Sequence, residues 1–255
     1  MSSDTIAISE DAFLGGRLSI RQPQRGHRSG IDAVLLGAAC AAASGDLIVD
    51  LGAATGVAGL CVLARVGGAR ATLIEIDAEA AALARENIAL NGLEERARVV
   101  LQDLTARGAA SACGFARPAA DHVIANPPFE EIGKARVSPL ANRARAHAAG
   151  PGMLDSWSRF AAAILKPAGT FTLIHRADAL GSVLGALAGR FGSLRVKPVH
   201  PRAGLPATRI LVSGVKGSRA PLQILAPLVL HAGEGHGFLD EPESILRHGA
   251  PLSMN

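Results

Sequence analysis

The chain has 255 residues, 49% of them hydrophobic and 19% charged, with a formal net charge of +4. This composition excludes a disordered chain, and the length suffices to bury a substantial core. No stretch of about 20 residues is apolar enough to span a bilayer, and the opening MSSDTIAISEDAF lacks the basic start and long apolar run of a secretory signal. The net charge mildly favours a polyanionic partner such as RNA without identifying one. Cys40, Cys61 and Cys113 form neither a CxxC pair nor a Cys/His metal pattern. Two of them sit in apolar helical contexts and suggest small buried side chains, and the three together suggest a reducing, cytoplasmic setting and no metal site.

Taken in chain order, residues 1–26 alternate polar and apolar positions, as a β-ribbon would. GHRSGIDAVLLGAACAAA follows, with Ser29 as a candidate N-cap and Asp32 in the first turn of a helix over about 30–43. The middle of the chain then alternates. Strands are expected over 46–52, 69–77, 97–104, 120–128 and 169–175, and helices over 55–67, 78–92, 153–169 and 177–192. Asp77 caps the 78–92 helix and Asn91-Gly92 stops it. Two further strands near 193–200 and 207–216 are joined by PRAGLPA and read as a hairpin, and LAPLVLH (225–231) reads as a final edge strand. Residues 105–119 and 130–151 show no regular pattern, and the end of the chain is Pro-rich and then polar.

Unbroken apolar strands alternating with helices indicate a parallel sheet covered on both faces. The expectation is a Rossmann-like, doubly wound α/β fold, a mostly parallel seven-stranded sheet with an antiparallel C-terminal strand. Residues 1–255 read as one domain: a segment 1–45 over the cofactor site, a core 46–216 and an extension 217–255.

The chemistry sits at strand ends. In IVDLGAATGVAGL a glycine-bearing turn joins the first core strand to its helix. Gly52 and Gly56 would let backbone approach a ligand, and the helix N-terminus offers free N–H groups. Glu75 ends the next strand, about twenty residues beyond Gly56, where a carboxylate can accept hydrogen bonds from ribose hydroxyls. Asp103 and Leu104 end the third, placed to bind an adenine amino group and its ring face. The turn lacks the three glycines of a pyrophosphate site, and Asp50 before it would repel phosphate. The sign of that charge favours a cationic ligand, the ammonium of S-adenosylmethionine (SAM), over a dinucleotide.

ANPPF (125–129) ends the fourth strand on the same edge. An amine conjugated to an aromatic ring is a poor nucleophile because its lone pair is delocalised. The Asn126 side-chain oxygen and the Pro127 carbonyl could each accept one amino hydrogen, while the prolines hold both acceptors rigid. Phe129 offers a face for a stacked base. The loop that follows carries Lys134, Arg136, Arg143 and Arg145, placed for phosphate contacts. Trp157 and Phe160, three apart on a helix, read as core, and His175 as a strand-end surface histidine.

These residues resemble the class I SAM-dependent methyltransferases with an N/D-P-P-Y/F motif, and among them the bacterial small-methyltransferase group that includes the tRNA1(Val) adenine-37 N6-methyltransferases. The likeness runs from GHRSGIDAVLL through LVLH. It implies that Asp50, Gly52, Ala53, Thr55 and Gly56 line the methionyl part of SAM, that Glu75 with Ile76 holds the ribose, and that Asp103 and Leu104 hold the adenine. Asn126, Pro127 and Phe129 would hold the target amine, with Asn126 also beside the cofactor. Arg28, Ser29 and Asp32 match a segment that closes over SAM. Ala54 departs from a usual glycine, and Phe129 from a common Tyr. The expected activity is methylation of N6 of an adenine in tRNA. The alternatives are a protein glutamine amide or guanine N2 in rRNA as acceptor, or a non-catalytic SAM- or RNA-binding module.

Overall fold

The computed structural model describes residues 7–26, 28–128, 152–235 and 237–255. A hairpin comes first: β1 (Ile8–Phe13) and β2 (Leu18–Pro23) pair antiparallel. Leu18, Ile20 and Gln22 of β2 point inward and are buried, the alternation of a half-covered strand. Then follow α1 (Ile31–Ala39), β3 (Leu47–Leu51), α2 (Val57–Arg65), β4 (Arg70–Glu75), α3 (Ala78–Leu90), β5 (Ala97–Leu101), α4 (Ala109–Ala112) and β6 (Ala120–Ala125). The chain continues through α5 (Met153–Ile164), β7 (Leu165–Arg176), α6 (Leu180–Leu187), β8 (Phe191–Arg202), β9 (Arg209–Lys216), β10 (Gln223–Ile224), β11 (Leu228–His231) and α7 (Asp240–His248).

The large sheet has the order β5-β4-β3-β6-β7-β9-β8. Every neighbouring pair is parallel except those of β9, which runs antiparallel to both β7 and β8. This is the seven-stranded mixed sheet expected from the sequence. Two short strands, β10 and β11, extend it along the outer edge of β8. Of these, β11 was anticipated and β10 was not.

One face of the sheet packs on α1, α2, α3 and α7, with Leu35, Leu36, Leu60, Leu63 and Ile245 in that layer. The other packs on α4, α5 and α6 through Trp157, Phe160, Ile164, Val183 and Leu187. Because both faces are covered, the strands carry apolar residues at consecutive positions: Val49 and Leu51 point into one layer, Ile48 into the other.

Several boundaries differ from expectation for local reasons. Ser29 is not the cap of α1: Gly30 occupies that position with no side-chain cap, and the Ser29 N–H instead donates to Gln22 Oε1 at 2.8 Å. Helix α5 stops at Ile164 because Pro167 follows closely, and Lys166 before a proline is disfavoured in helix. The strand takes over at Leu165, with a register irregularity between Ala120 and His122 and a left-handed Ala168. Helix α6 is short, entered through a single 3-10 turn over Ala177–Ala179.

The cap of α3 is as anticipated. Asp77 Oδ1 accepts the N–H groups of Glu79 and Ala80, both at 2.9 Å, and Gly92 adopts φ 63° after the helix. Replacing Asp77 by Ala leaves those donors to water and is expected to cost about 1 kcal/mol. A thermal or denaturant melt unchanged from wild type would show that the cap contributes nothing.

Candidate active site

Parallel strands align their carboxyl ends, and the register shows which residues emerge together. Leu101 pairs with Glu75, Ile74 with Leu51, Leu51 with Ala125, and Ala125 with Leu173. Asp103, Glu75, Gly52 and Asn126 therefore leave the sheet in a row along one edge. With strands about 4.8 Å apart, the row from β5 to β6 spans about 14 Å. The catalytic and cofactor candidates on the four strands are thus brought to one edge. Phe129 and the basic positions Lys134, Arg136, Arg143 and Arg145 lie outside the described residues.

The turn after β3 has unusual backbone. Gly52, Ala54 and Gly56 all have positive φ, at 63°, 49° and 90°. Ala54 carries a Cβ in that region, a conformation that costs an L-residue about 1 kcal/mol. It is held there by Glu75, whose Oε2 accepts the Ala54 N–H at 2.7 Å. Glu75 Oε1 accepts the N–H groups of Ile76 and Asp77 at 2.8 and 2.9 Å. The carboxylate of Glu75, buried at the end of β4, thus clamps two turns together. A carboxylate offers about four acceptor sites, so Oε2 retains one for a ligand hydroxyl where the sequence suggested service to two.

Asp50 is also buried, and its Oδ2 accepts the Gly59 N–H at 2.9 Å. It therefore anchors the first turn of α2 to β3. Asp103 is half-buried and folds onto its own turn, Oδ1 accepting from the Thr105 N–H and hydroxyl at 2.8 and 2.7 Å. Leu104 packs against the layer under α5. Asn126 is half-buried and makes no hydrogen bond to another described residue, while Pro127 beside it is buried. His175, expected at the surface, is instead buried at the end of β7, where desolvation holds its imidazole below the ordinary range.

The N-terminal segment reaches the same edge. Arg28 Nη2 meets Asp11 Oδ2 at 2.6 Å, and its Nη1 donates to Ser9 Oγ and the Pro23 carbonyl. Asp32 pairs with Arg209 Nε at 2.8 Å, tying the start of α1 to the start of β9. Arg28 and Ser29 are thus fastened to the hairpin and Asp32 to the sheet.

A family described as the methyltransferase small domain matches residues 32–156. A tRNA1(Val) (adenine(37)-N6)-methyltransferase of Phocaeicola vulgatus is 32% identical over 188 residues, 72% of this chain and 75% of its own length. One of the same name from Aeromonas hydrophila is 28% identical over 210 residues, 81% of this chain and 83% of its own. The crystal structure of a predicted O-methyltransferase, protein Atu636 of Agrobacterium tumefaciens, is 33% identical with a TM-score of 0.74, and the match covers 87% of this chain and 98% of that one. The chain belongs to the small-methyltransferase family. It is a SAM-dependent methyltransferase of the class I fold.

The residues of this methyltransferase fit such a cofactor: the edge presents a carboxamide at Asn126 and a carboxylate at Glu75, the first without a hydrogen bond and the second with three, among the described residues. Among the described residues no group of three His, Cys, Asp or Glu side chains is placed to hold a metal ion. The two glycines of the turn serve a purpose that the sequence did not show. A Cβ on Gly52 would lie 2.4 Å from Trp157 Cη2, and one on Gly56 would lie 2.9 Å from Leu73 Cδ1. The space is filled by this chain's own core, so Trp157 buttresses the turn from beneath. Trp157 packs as the sequence suggested, but its contact with Gly52 had no sequence signal.

Gly52→Ala in this methyltransferase combines a ring clash with an unfavourable φ and is expected to destabilise by about 3 kcal/mol. Adding Trp157→Leu should recover the clash but not the backbone strain, giving a non-additive double mutant in thermal melts. Strict additivity would contradict the contact. Burial is the main cause that pushes the Asp50 carboxyl up to about 7, with the Glu75 charge adding and the Gly59 N–H opposing. A folded-state pKa above the ordinary carboxylate value of 3.8 means that the folded chain binds this proton more tightly. Asp50 therefore withdraws stability as pH rises from about 4 to 7, by at most about 4 kcal/mol. The stability of wild type relative to Asp50→Asn is expected to fall across that window. A pH-independent difference would place the Asp50 proton elsewhere.

Proposed function

We propose that this methyltransferase transfers a methyl group to N6 of an adenine in tRNA, in the cytoplasm. The reading is carried by one observation: Asn126-Pro127-Pro128 leaves β6 directly beside the Gly52 turn of β3, in register. The names of the relatives support adenine N6 as the acceptor and tRNA as the carrier.

SAM supplies a methyl group made electrophilic by its sulfonium sulfur. Asp50, Gly52, Ala53, Thr55 and Gly56 form the wall beneath its methionyl part, Glu75 and Ile76 its ribose site, and Asp103 and Leu104 its adenine site. Arg28, Ser29 and Asp32 close the near side. The remaining work concerns the acceptor. Asn126 Oδ1 and the Pro127 carbonyl each accept one N–H of the amine, which withdraws the nitrogen lone pair from the ring and directs it at the cofactor. The rigid proline pair keeps both acceptors in place without reorganisation. Phe129 stacks on the base and fixes its plane. No strong base is needed, because the amine becomes acidic once it carries the new bond and then releases its proton to solvent. Two neighbouring acceptors suit an NH2 group and are superfluous for a hydroxyl, so an amine is the acceptor.

Asn126→Ala is expected to lower kcat by about 100-fold or more, with the dissociation constant for SAM within about threefold of wild type. Near-normal turnover by this variant would end the mechanism. With labelled SAM and total tRNA, nucleoside digestion is expected to yield N6-methyladenosine; label in protein or in guanosine would assign a different acceptor. We also assign Lys134, Arg136, Arg143 and Arg145 to phosphate contacts. Reversing the charge of Arg143 and Arg145 should weaken tRNA binding and reduce its salt slope by about 2. An unchanged slope would remove them from the interface.

A further inference from the structure

Among the described residues, strand β2 pairs with β1 on one side only. A strand with a free edge exposes unpaired N–H and C=O groups, which must find partners or water. Helix α3 supplies them. Asn87 Oδ1 accepts the Arg21 N–H at 2.7 Å, and Asn87 Nδ2 donates to the Arg21 carbonyl at 3.1 Å. One turn on, Asn91 repeats the pattern with Ser19, accepting its N–H at 3.0 Å and donating to its carbonyl at 2.8 Å. The spacings match. Four helical residues rise about 6 Å, and two strand residues about 6.6 Å. Two carboxamides four apart on a helix therefore serve as two rungs of a missing antiparallel strand.

The rungs are not equivalent. Asn91 Nδ2 spends its second donor on the Asn87 carbonyl, within its own helix. Asn87 is fully buried, and its Nδ2 makes a second bond to the Thr55 carbonyl at 2.9 Å, inside the Gly52–Gly56 turn. One carboxamide thus ties the hairpin to that turn. Beyond Arg21 the path continues to buried Gln22, which accepts the Ser29 N–H, donates to Asp11, and so shares Asp11 with Arg28.

We propose that Asn87 is a positioning residue that couples the cofactor turn to the N-terminal segment Arg28–Asp32, so that the two walls of the SAM site move as one. Asn91 anchors the hairpin alone. The inference rests on the reading that the turn and that segment enclose SAM. Direct binding of SAM to wild type, by calorimetry, tests that reading separately.

The test compares Asn87→Ala with Asn91→Ala. Both lose a rung and both lower the melting temperature. Only Asn87→Ala is expected to weaken SAM binding, by roughly 5- to 50-fold, with kcat at saturating SAM within about threefold of wild type. Hydrogen exchange adds a coupling readout. SAM should slow exchange at the Ser29 amide in wild type and in Asn91→Ala, and should fail to do so in SAM-saturated Asn87→Ala. If Asn87→Ala does not fold, Asn87→Ser, too short to span Arg21 and Thr55 together, carries the same comparison. Equal effects of the two positions on SAM affinity, or Ser29 protection retained without Asn87, would overturn the proposal and leave both asparagines as structural rungs.

Discussion

The arrangement depends on one constraint: the parallel pairing of β3 with β6, which sets Leu51 opposite Ala125. Parallel strands release their chains at the same edge, so the Gly52–Gly56 turn and the Asn126-Pro127-Pro128 segment must emerge side by side. No loop flexibility is needed to bring them together. Backbone hydrogen bonds of two buried strands hold the spacing between the Gly52 turn and Asn126. The antiparallel β9, between β7 and β8, carries Arg209 back to Asp32, joining the last part of the core to the first helix.

Around that pairing the chain fixes the Gly52–Gly56 turn from four directions. Glu75 holds it from β4 through the Ala54 N–H, Trp157 fills the space under Gly52, Asn87 takes the Thr55 carbonyl, and Asp50 pins the helix that follows. Three positive φ values in five residues need this support, because Ala54 would otherwise relax to an extended conformation. Preorganisation here means that the backbone strain is met by tertiary contacts before any ligand arrives. The buried polar groups Asp50, Glu75 and Asn87 carry these bonds, which explains their presence in an otherwise apolar interior.

Much of this was legible in the sequence. The alternation of apolar runs with helices gave the sheet, and DLGAATG, Glu75 and ANPPF fell at strand ends that the structure aligns. Asp77 and Gly92 marked the ends of α3 by their own chemistry. What escaped depended on contacts distant in sequence. Gly52 looked like room for a ligand, yet a tryptophan 105 positions later occupies that room. Ser29 looked like a cap until Gln22 claimed its N–H. Asn91 reads as a helix stop, whereas the one signal at Asn87 is that asparagine inside a helix is disfavoured and points to a side chain committed elsewhere. Helix α7 was missed under a Pro-rich reading. Its acidic first turn, Arg247 and His248 in the last turn and left-handed Gly249 were all present as helix-end signals.

The proposed site puts the methyl donor's sulfur between the Gly52 turn and Asn126. A crystal structure with bound S-adenosylhomocysteine measures it directly. The expected result is the ribose against Glu75, the adenine against Asp103 and Leu104, and the sulfur turned towards Asn126 and Pro127. A product bound with its sulfur facing away from β6, or with its ribose nowhere near β4, would contradict it.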